Sequence, residues 1–225
     1  ERIKLQEKEF FAARDPEIAR AANKAARTRL ITALSLRSPK LSLEFEGAKH
    51  IAEAQSKFVR ESKQLPLSAV GDVNTYALFA ERFRTLISPT GRSGFIVPTG
   101  LATDDSTKAL FGSLIETRAL VSLYSFENEE FLFPTVHHAT KFSLATLSGV
   151  QAPFELPDFV FFARKSSHLT DEWRHIRLTA SDFDLLNPNT RTCPTFRSDR
   201  DAEITRGIYG RVPVLKNERS GQNPW

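Results

Sequence analysis

Apolar residues in the first third of the chain recur at every fourth position, which is the spacing of one helix face. The repeat consists of Ile18, Ala22, Ala26, Leu30 and Leu34. Asp15 and Pro16 precede it and suit a helix start, because aspartate caps free amide groups and proline fits the first helical position. A second helix is predicted from about Leu41 to Val59. Residues 1–70 are therefore predicted to form a helical insertion.

From Gly71 onward, helical and strand-like patterns alternate. A helix-like pattern runs from Tyr76 to Ile87, and the wholly apolar Gly94–Pro98 that follows is typical of a buried parallel strand. Thr103, Asp104 and Asp105 then suit the cap of a helix bearing Leu110, Phe111, Leu114 and Ile115. Further strands are predicted at Leu120–Phe126, Lys141–Leu147 and Asp158–Ala163. This order predicts an open α/β sheet, with residues 71–163 as its core and 164–225 as a connector.

Two loops of this predicted sheet are candidates for a binding site. Ligands of open α/β sheets gather outside the carboxyl ends of the strands. The loops Thr99–Asp104 and Glu127–Thr140 both follow predicted strands. We therefore expect these two loops to lie near any site at that edge.

Composition narrows the class of protein only modestly. The 225 residues are 40% hydrophobic and carry a formal net charge of +4, with a pI near 9.3. That balance permits nucleic-acid binding without requiring it. No apolar stretch is long enough for a membrane span, no signal peptide is evident, and Cys193 is the single cysteine. These features predict a cytoplasmic protein without a membrane partner. Because the chain lacks methionine and begins at Glu1, we expect it to be an internal part of a longer polypeptide.

Two basic stretches have alternative interpretations. The first predicted helix carries Arg20, Lys24, Arg27 and Arg29, which form either a solvated face or a phosphate-facing lid. Arginines are also dense toward the C-terminus, where Arg191, Arg197 and Arg200 are candidate DNA-binding residues, followed by Arg206 and Arg211. The alternative is that Asp199, Asp201 and Glu203 neutralise these arginines locally. The sequence leaves both questions open.

The loop Leu132–His138 combines an aromatic ring, a proline and two imidazoles between two predicted strands. A metal site would need further ligands at consistent spacing, and the other histidines stand in no such motif. We therefore predict no metal, and expect His137 to contact a phosphate or base edge or to make an ordinary loop hydrogen bond. Lys141, at the start of the next strand, is either a phosphate contact or a common edge-strand lysine.

Several segments, taken in chain order, resemble adenine-specific DNA methyltransferases of the type IIG restriction and phage-defence kind. The segments lie at Gly71–Phe79, Gly94–Gly100, Phe131–Pro134 continuing through Lys141–Phe142, Leu186–Thr192 and Phe196–Ile204. The resemblance implies the C-terminal half of a Rossmann-like methyltransferase sheet, with residues from Arg164 leading toward a target recognition domain. It also implies double-stranded DNA as partner and S-adenosylmethionine as cofactor.

The same resemblance implies roles for individual residues. Phe133 would stack on an adenine extruded from the duplex, and Pro134 would stiffen its loop. The alternative is that Phe133 only fills space at the edge of the sheet. Thr99, Gly100 and Thr103 would close the pocket edge. The family's Asn-Pro-Pro-aromatic tetrapeptide would sit before a segment resembling Glu1–Leu5, and the glycine-rich cofactor loop would lie earlier still. Asn223-Pro224-Trp225 has one proline too few for that tetrapeptide.

The sequence therefore predicts part of an enzyme that methylates the N6 amino group of adenine in DNA, in a restriction-modification or phage-defence system. Isolated, the 225 residues would be inactive, because both principal catalytic elements would lie outside them. The alternative from another class is a non-catalytic DNA-binding or scaffolding module. An unrelated cofactor-binding α/β enzyme is a third possibility, which the missing Gly-x-Gly phosphate loop disfavours. The oligomeric state is not predicted.

Overall fold

The computed structural model describes residues 3–218. Asn223-Pro224-Trp225 and the first two residues of the segment Glu1–Leu5 lie outside the described residues. The chain divides into two compact units, Glu1–Thr75 and Tyr76–Trp225. The first is helical, and the second is a mixed α/β unit built on one sheet.

The described residues of the first unit form four helices around a small apolar core. They are α1 (Glu7–Ala12), α2 (Pro16–Ala19), α3 (Lys24–Arg37) and α4 (Pro39–Glu61). The core consists of Phe11, Ile18, Leu34 and Phe45. Because α4 keeps a regular apolar face, it was predicted to within two residues at each end. Its outer face leaves Leu43, Ile51 and Phe58 exposed.

The single helix predicted from Asp15 to Leu34 is wrong. Asp15 does cap a helix by accepting from the amides of Glu17 and Ile18, but that helix ends at Ala19. Asn23 then has an extended backbone, and its side chain accepts from the amide of Ala26 to start α3. An asparagine in this position favours a new helix start over continuation, because its short side chain competes for backbone hydrogen bonds.

The second unit alternates helices and strands. Its elements are α5 (Thr75–Leu86), β1 (Arg92–Pro98), α6 (Gly100–Thr103), α7 (Lys108–Glu116), β2 (Leu120–Glu127), β3 (Lys141–Ser148), β4 (Asp158–Ala163), β5 (Ile176–Arg177), α8 (Ala180–Leu186) and α9 (Asp199–Tyr209). The prediction missed β5, which has only two residues. It also expected the cap of the 110–115 helix at 103–105, whereas α7 begins after a 3₁₀ turn at Asp105–Thr107.

The sheet is mixed, with strand order β1-β3-β2-β4-β5. β2 and β4 are parallel, and the other three neighbouring pairs are antiparallel. The prediction of a buried parallel strand at Gly94–Pro98 is therefore wrong. β1 pairs only with β3 among the described strands, and Val97 is its one buried residue. An apolar run does not distinguish an edge strand from a central one, because that depends on pairing with distant residues.

The topology brings several strand ends to one edge. β1 and β2 run in the same direction, because each pairs antiparallel with β3. Their last residues, Pro98 and Glu127, lie beside Phe142 and Lys141 at the start of β3. β4 ends nearby, since Ala163 pairs with Phe126. The loops after β1 and β2 thus leave the sheet at the same edge.

None of the helices within residues 3–218 combines the length and the apolar character that crossing a bilayer requires.

Candidate functional site

A cleft of about 500 Å³ opens at this edge of the sheet. Its size falls in the usual range for small-molecule sites. Four of the predicted substrate-binding residues line it: Thr99, Gly100, Thr103 and Lys141. The other lining residues are Asp104, Ser125, Glu127, Ala139, Phe161, Phe162 and Thr195.

Thr99 fixes the floor of the cleft through buried hydroxyl groups. Its Oγ1 lies 3.0 Å from Ser125 Oγ on β2 and 3.0 Å from Ser143 Oγ on β3. All three residues are buried. Buried hydroxyls require such partners, so this arrangement ties the start of the loop after β1 to the two neighbouring strands.

Gly100 lies where a side chain would have no room. A Cβ atom there would lie 2.4 Å from Asp104 Oδ2 and 3.1 Å from the Tyr76 hydroxyl. Burial and the nearby charge of Asp104 both raise the pKa of Tyr76, which keeps its hydroxyl a proton donor. The Asp104 side chain and the Tyr76 hydroxyl therefore limit the space beside Gly100.

Lys141 belongs to a charged group on the other side of the cleft. Its Nζ lies 3.5 Å from Glu127 Oε1, and Arg164 donates to Glu127 Oε2 at 2.9 and 3.0 Å. Burial alone would raise the pKa of Glu127, but the hydrogen bonds and charges of Arg164 and Lys141 outweigh it and lower the pKa overall. Two cations thus share the Glu127 carboxylate.

Phe133 and Pro134 are exposed on the loop after β2 and do not line the cleft. The Phe133 ring is 39% exposed and packs edge-on against Phe142, with centroids 4.9 Å apart. Asn128, which is fully buried, holds the loop: Oδ1 accepts from the Phe133 amide, and Nδ2 donates to the carbonyls of Phe133 and Val136. Phe142 and Asn128 therefore hold the Phe133 ring in place, and part of the ring remains exposed to solvent.

The two loop histidines make local hydrogen bonds. His137 Nδ1 accepts from the Ala139 amide, and His138 Nδ1 lies 3.3 Å from the Glu129 carboxylate. Their rings are 4.5 Å apart. Among residues 3–218, no group of three or more histidine, cysteine, aspartate or glutamate side chains is arranged to hold a metal ion.

The three candidate DNA-binding arginines have different surroundings. Arg191 is bound by both Glu116 and Asp184, and Arg200 pairs with Glu203 within α9. Arg197, in contrast, pairs with no carboxylate of the described residues; its guanidinium lies over the Phe162 ring, 4.9 Å from the centroid. Of the carboxylates named in the alternative of local neutralisation, Glu203 pairs with Arg200 and Asp199 with Arg206, whereas the partners of Arg191 lie elsewhere in the chain.

Phe162 is one of the residues of this site that the sequence interpretation missed, together with Ser125, Phe161 and Thr195. Phe162 was read as part of an apolar core strand, yet it is only half-buried and lines the cleft. The sequence gives no signal for this position, because the exposure follows from an irregularity in the pairing of β4 with β2.

No protein-family model matches the chain, and no curated protein matches it in sequence. Among solved structures it is similar to one reported as the type IIG restriction endonuclease BpuSI, with a TM-score of 0.38 and 17% identity. The match covers 48% of this chain and 13% of that chain. A likeness at this level defines neither a family nor an activity.

Proposed function

We propose that this chain is part of a DNA methyltransferase acting on the N6 amino group of adenine, in a restriction-modification or phage-defence system. The observation that carries the proposal is the cleft, which gathers Thr99, Gly100, Thr103 and Lys141 at the carboxyl ends of β1 and β2. A base taken out of a duplex needs a pocket of this kind, with polar groups for its edge and aromatic surface for its face.

In this proposal, Phe133 supplies the aromatic face. Its ring is supported from behind by Phe142, and Asn128 fixes the backbone that carries it. Stacking on an aromatic side chain contributes about 1–3 kcal/mol per base, which is comparable to the loss from unstacking the base in DNA. The loop that carries the ring follows β2, whose last residue, Glu127, lines the cleft.

The residues of this chain do not fit the main site of the methyl donor. None of its glycines forms a Gly-x-Gly loop between a strand and a helix, and Gly100 is the one glycine that lines the cleft within the described residues. The methyl-donor site is therefore proposed to lie on another part of the enzyme. The roles assigned to this chain are base binding and DNA positioning.

Replacing Phe133 with alanine tests the proposal. The probe is a DNA duplex with 2-aminopurine at a mismatched position, because mismatched bases are extruded most easily. We expect Phe133→Ala to weaken binding by about 1–3 kcal/mol and to reduce the fluorescence increase on extrusion. Phe131→Ala is the matched control, since Phe131 is 54% exposed on the same loop. Equal effects of the two substitutions would remove Phe133 from the base site.

A non-catalytic DNA-binding module is the second candidate, favoured by the absence of a Gly-x-Gly loop from the sequence and by the guanidinium of Arg197, which has no carboxylate partner within residues 3–218. It is distinguished by titrating the intact protein that carries this chain with S-adenosylmethionine in a calorimeter. Salt-dependent DNA binding without binding of the methyl donor would support the module and contradict the methyltransferase.

A further inference from the structure

Phe162 has a backbone conformation that it shares with only a few of the described residues. Its φ is 57°, in the left-handed region that side chains other than glycine rarely adopt. The register of β2 with β4 shifts here, from Tyr124 opposite Val160 to Phe126 opposite Ala163. The extra residue on β4 is a bulge. Bulges re-aim side chains, and backbone strain of this kind concentrates at functional sites.

The bulge separates two neighbouring aromatic rings. Both rings line the cleft, but Phe161 is only 2% exposed, whereas Phe162 is half-buried. Glycine would adopt this φ without strain, whereas a residue with a Cβ atom is strained there. The position therefore holds a ring in the cleft at a conformational cost.

Two cations lie against that ring. Lys141 Nζ is 5.5 Å and Arg197 Cζ is 4.9 Å from its centroid, both within cation–π range. They come from distant parts of the chain, the start of β3 and the segment before α9. Phe162 is thus the side chain that both cations contact.

The cations around Phe162 differ in how far carboxylates compensate their charge. Lys141 shares Glu127 with Arg164, and Asp104 is the other carboxylate lining the cleft. Arg164 is also within electrostatic reach of Glu129 and Glu130. Arg197 itself has neither a carboxylate nor a hydrogen-bond acceptor among the described residues, and a guanidinium suits a phosphate group especially well.

We infer that Phe162 is a positioning residue that holds Lys141 and Arg197 together as a phosphate subsite at the cleft. In the setting of the proposed function, on which this assignment rests in part, the phosphate is that of the DNA backbone beside the extruded base. Free phosphate groups share the same chemistry, so the test separates the two sources.

The test compares Phe162→Leu, which removes the ring, with Phe162→Tyr, which keeps it. Binding of the 225-residue chain to a fluorescein-labelled duplex is measured by anisotropy over a range of KCl concentrations. We expect Phe162→Leu to weaken binding about fivefold, in keeping with the loss of two partly exposed cation–π contacts, and to make the salt dependence shallower. Phe162→Tyr is expected to behave like the unsubstituted chain.

A double-mutant cycle shows whether Phe162 acts through the cation. Arg197→Ala should weaken binding of the duplex when Phe162 is present. The same substitution should have a smaller effect on affinity when residue 162 is already leucine. Phe162→Gly guards against misfolding, because glycine accepts a φ of 57° without strain and still lacks the ring. It should lose affinity like Phe162→Leu while retaining the far-ultraviolet circular dichroism of the unsubstituted chain.

Inorganic tripolyphosphate serves as the second probe. If the chain binds the duplex and Phe162→Leu leaves affinity and salt dependence unchanged, the positioning role is wrong while DNA binding stands. If the chain does not bind DNA but binds tripolyphosphate in a Phe162-dependent manner, the result supports the phosphate subsite and contradicts the proposed function on DNA. Binding of neither probe, or additive effects of Phe162→Leu and Arg197→Ala, would overturn the inference.

Discussion

At the scale of single residues, His175 forms the centre of a polar cluster apart from the cleft lining. Its Nδ1 lies 2.7 Å from Asp158 Oδ2, and its Nε2 lies 2.9 Å from the Leu169 carbonyl oxygen. Tyr124 donates to the same carboxylate oxygen. Because both ring nitrogens of His175 face acceptors, both bonds form only when the imidazole is protonated.

The cluster predicts a pH dependence of stability. Burial alone would lower the pKa of His175, but the bonds to Leu169 and Asp158 outweigh it and raise the pKa above 6.5. A raised folded-state pKa stabilises the protein below the unfolded value of about 6.5, and this contribution disappears as pH rises through the folded pKa. We expect His175→Gln to lower the unfolding free energy more at pH 6 than at pH 8, as measured by urea denaturation.

The control for this experiment is His50→Gln, because His50 is exposed on α4. It should leave the pH dependence unchanged. If both substitutions alter the difference between pH 6 and pH 8 equally, the dependence does not come from the cluster of Tyr124, Asp158 and His175.

The hydroxyl group of Thr99 offers a second prediction at this scale. Thr99→Val preserves shape but leaves the buried hydroxyls of Ser125 and Ser143 without this partner. Unpaired buried groups cost about 1–3 kcal/mol, so urea denaturation should show a loss of that size. Adding Ser125→Ala and Ser143→Ala should recover part of it, because no polar group then remains unpaired. A triple variant less stable than Thr99→Val would contradict this account.

At the scale of elements, the loop after β2 depends on one side chain. Asn128 makes three hydrogen bonds to the backbone of Phe133 and Val136. Asn128→Ala should destabilise the loop by about 1–3 kcal/mol and accelerate amide hydrogen exchange at Phe133. Asn128→Asp keeps the acceptor for the Phe133 amide, so exchange there should be less affected. Unchanged exchange in the alanine variant would show that other contacts hold the loop.

Elements with a strong local pattern were predictable from the sequence, and those decided by pairing were not. The limits of β4 match the predicted Asp158–Ala163, and α4 extends the predicted helix by two residues at each end. The edge position of β1 depends on β3, about 45 residues later in the chain. The loop residues that reach the cleft were also predictable, since they follow strands. The exposure of Phe162 was not, because its cause is a shift in register.

At the scale of the whole molecule, the two compact units each have their own buried residues. Leu34 lies in the core of the helical unit and Leu123 in the central strand β2 of the sheet unit, and both are fully buried. Replacing either with alanine should cost about 2–5 kcal/mol, because it leaves a cavity. If each compact unit unfolds cooperatively by itself, the loss of stability is confined to the unit that carries the substitution. If the chain unfolds as one, both units lose stability.

Hydrogen exchange measured residue by residue decides this question. If each unit unfolds cooperatively on its own, Leu34→Ala should accelerate exchange in α3 and α4 and leave β2 and β3 protected, whereas Leu123→Ala should do the reverse. The two variants are controls for each other, since they remove the same atoms from equally buried sites. Faster exchange in both units from either substitution would mean that the chain unfolds as one. In that case a substitution in the helical unit would also lower the stability of the cleft.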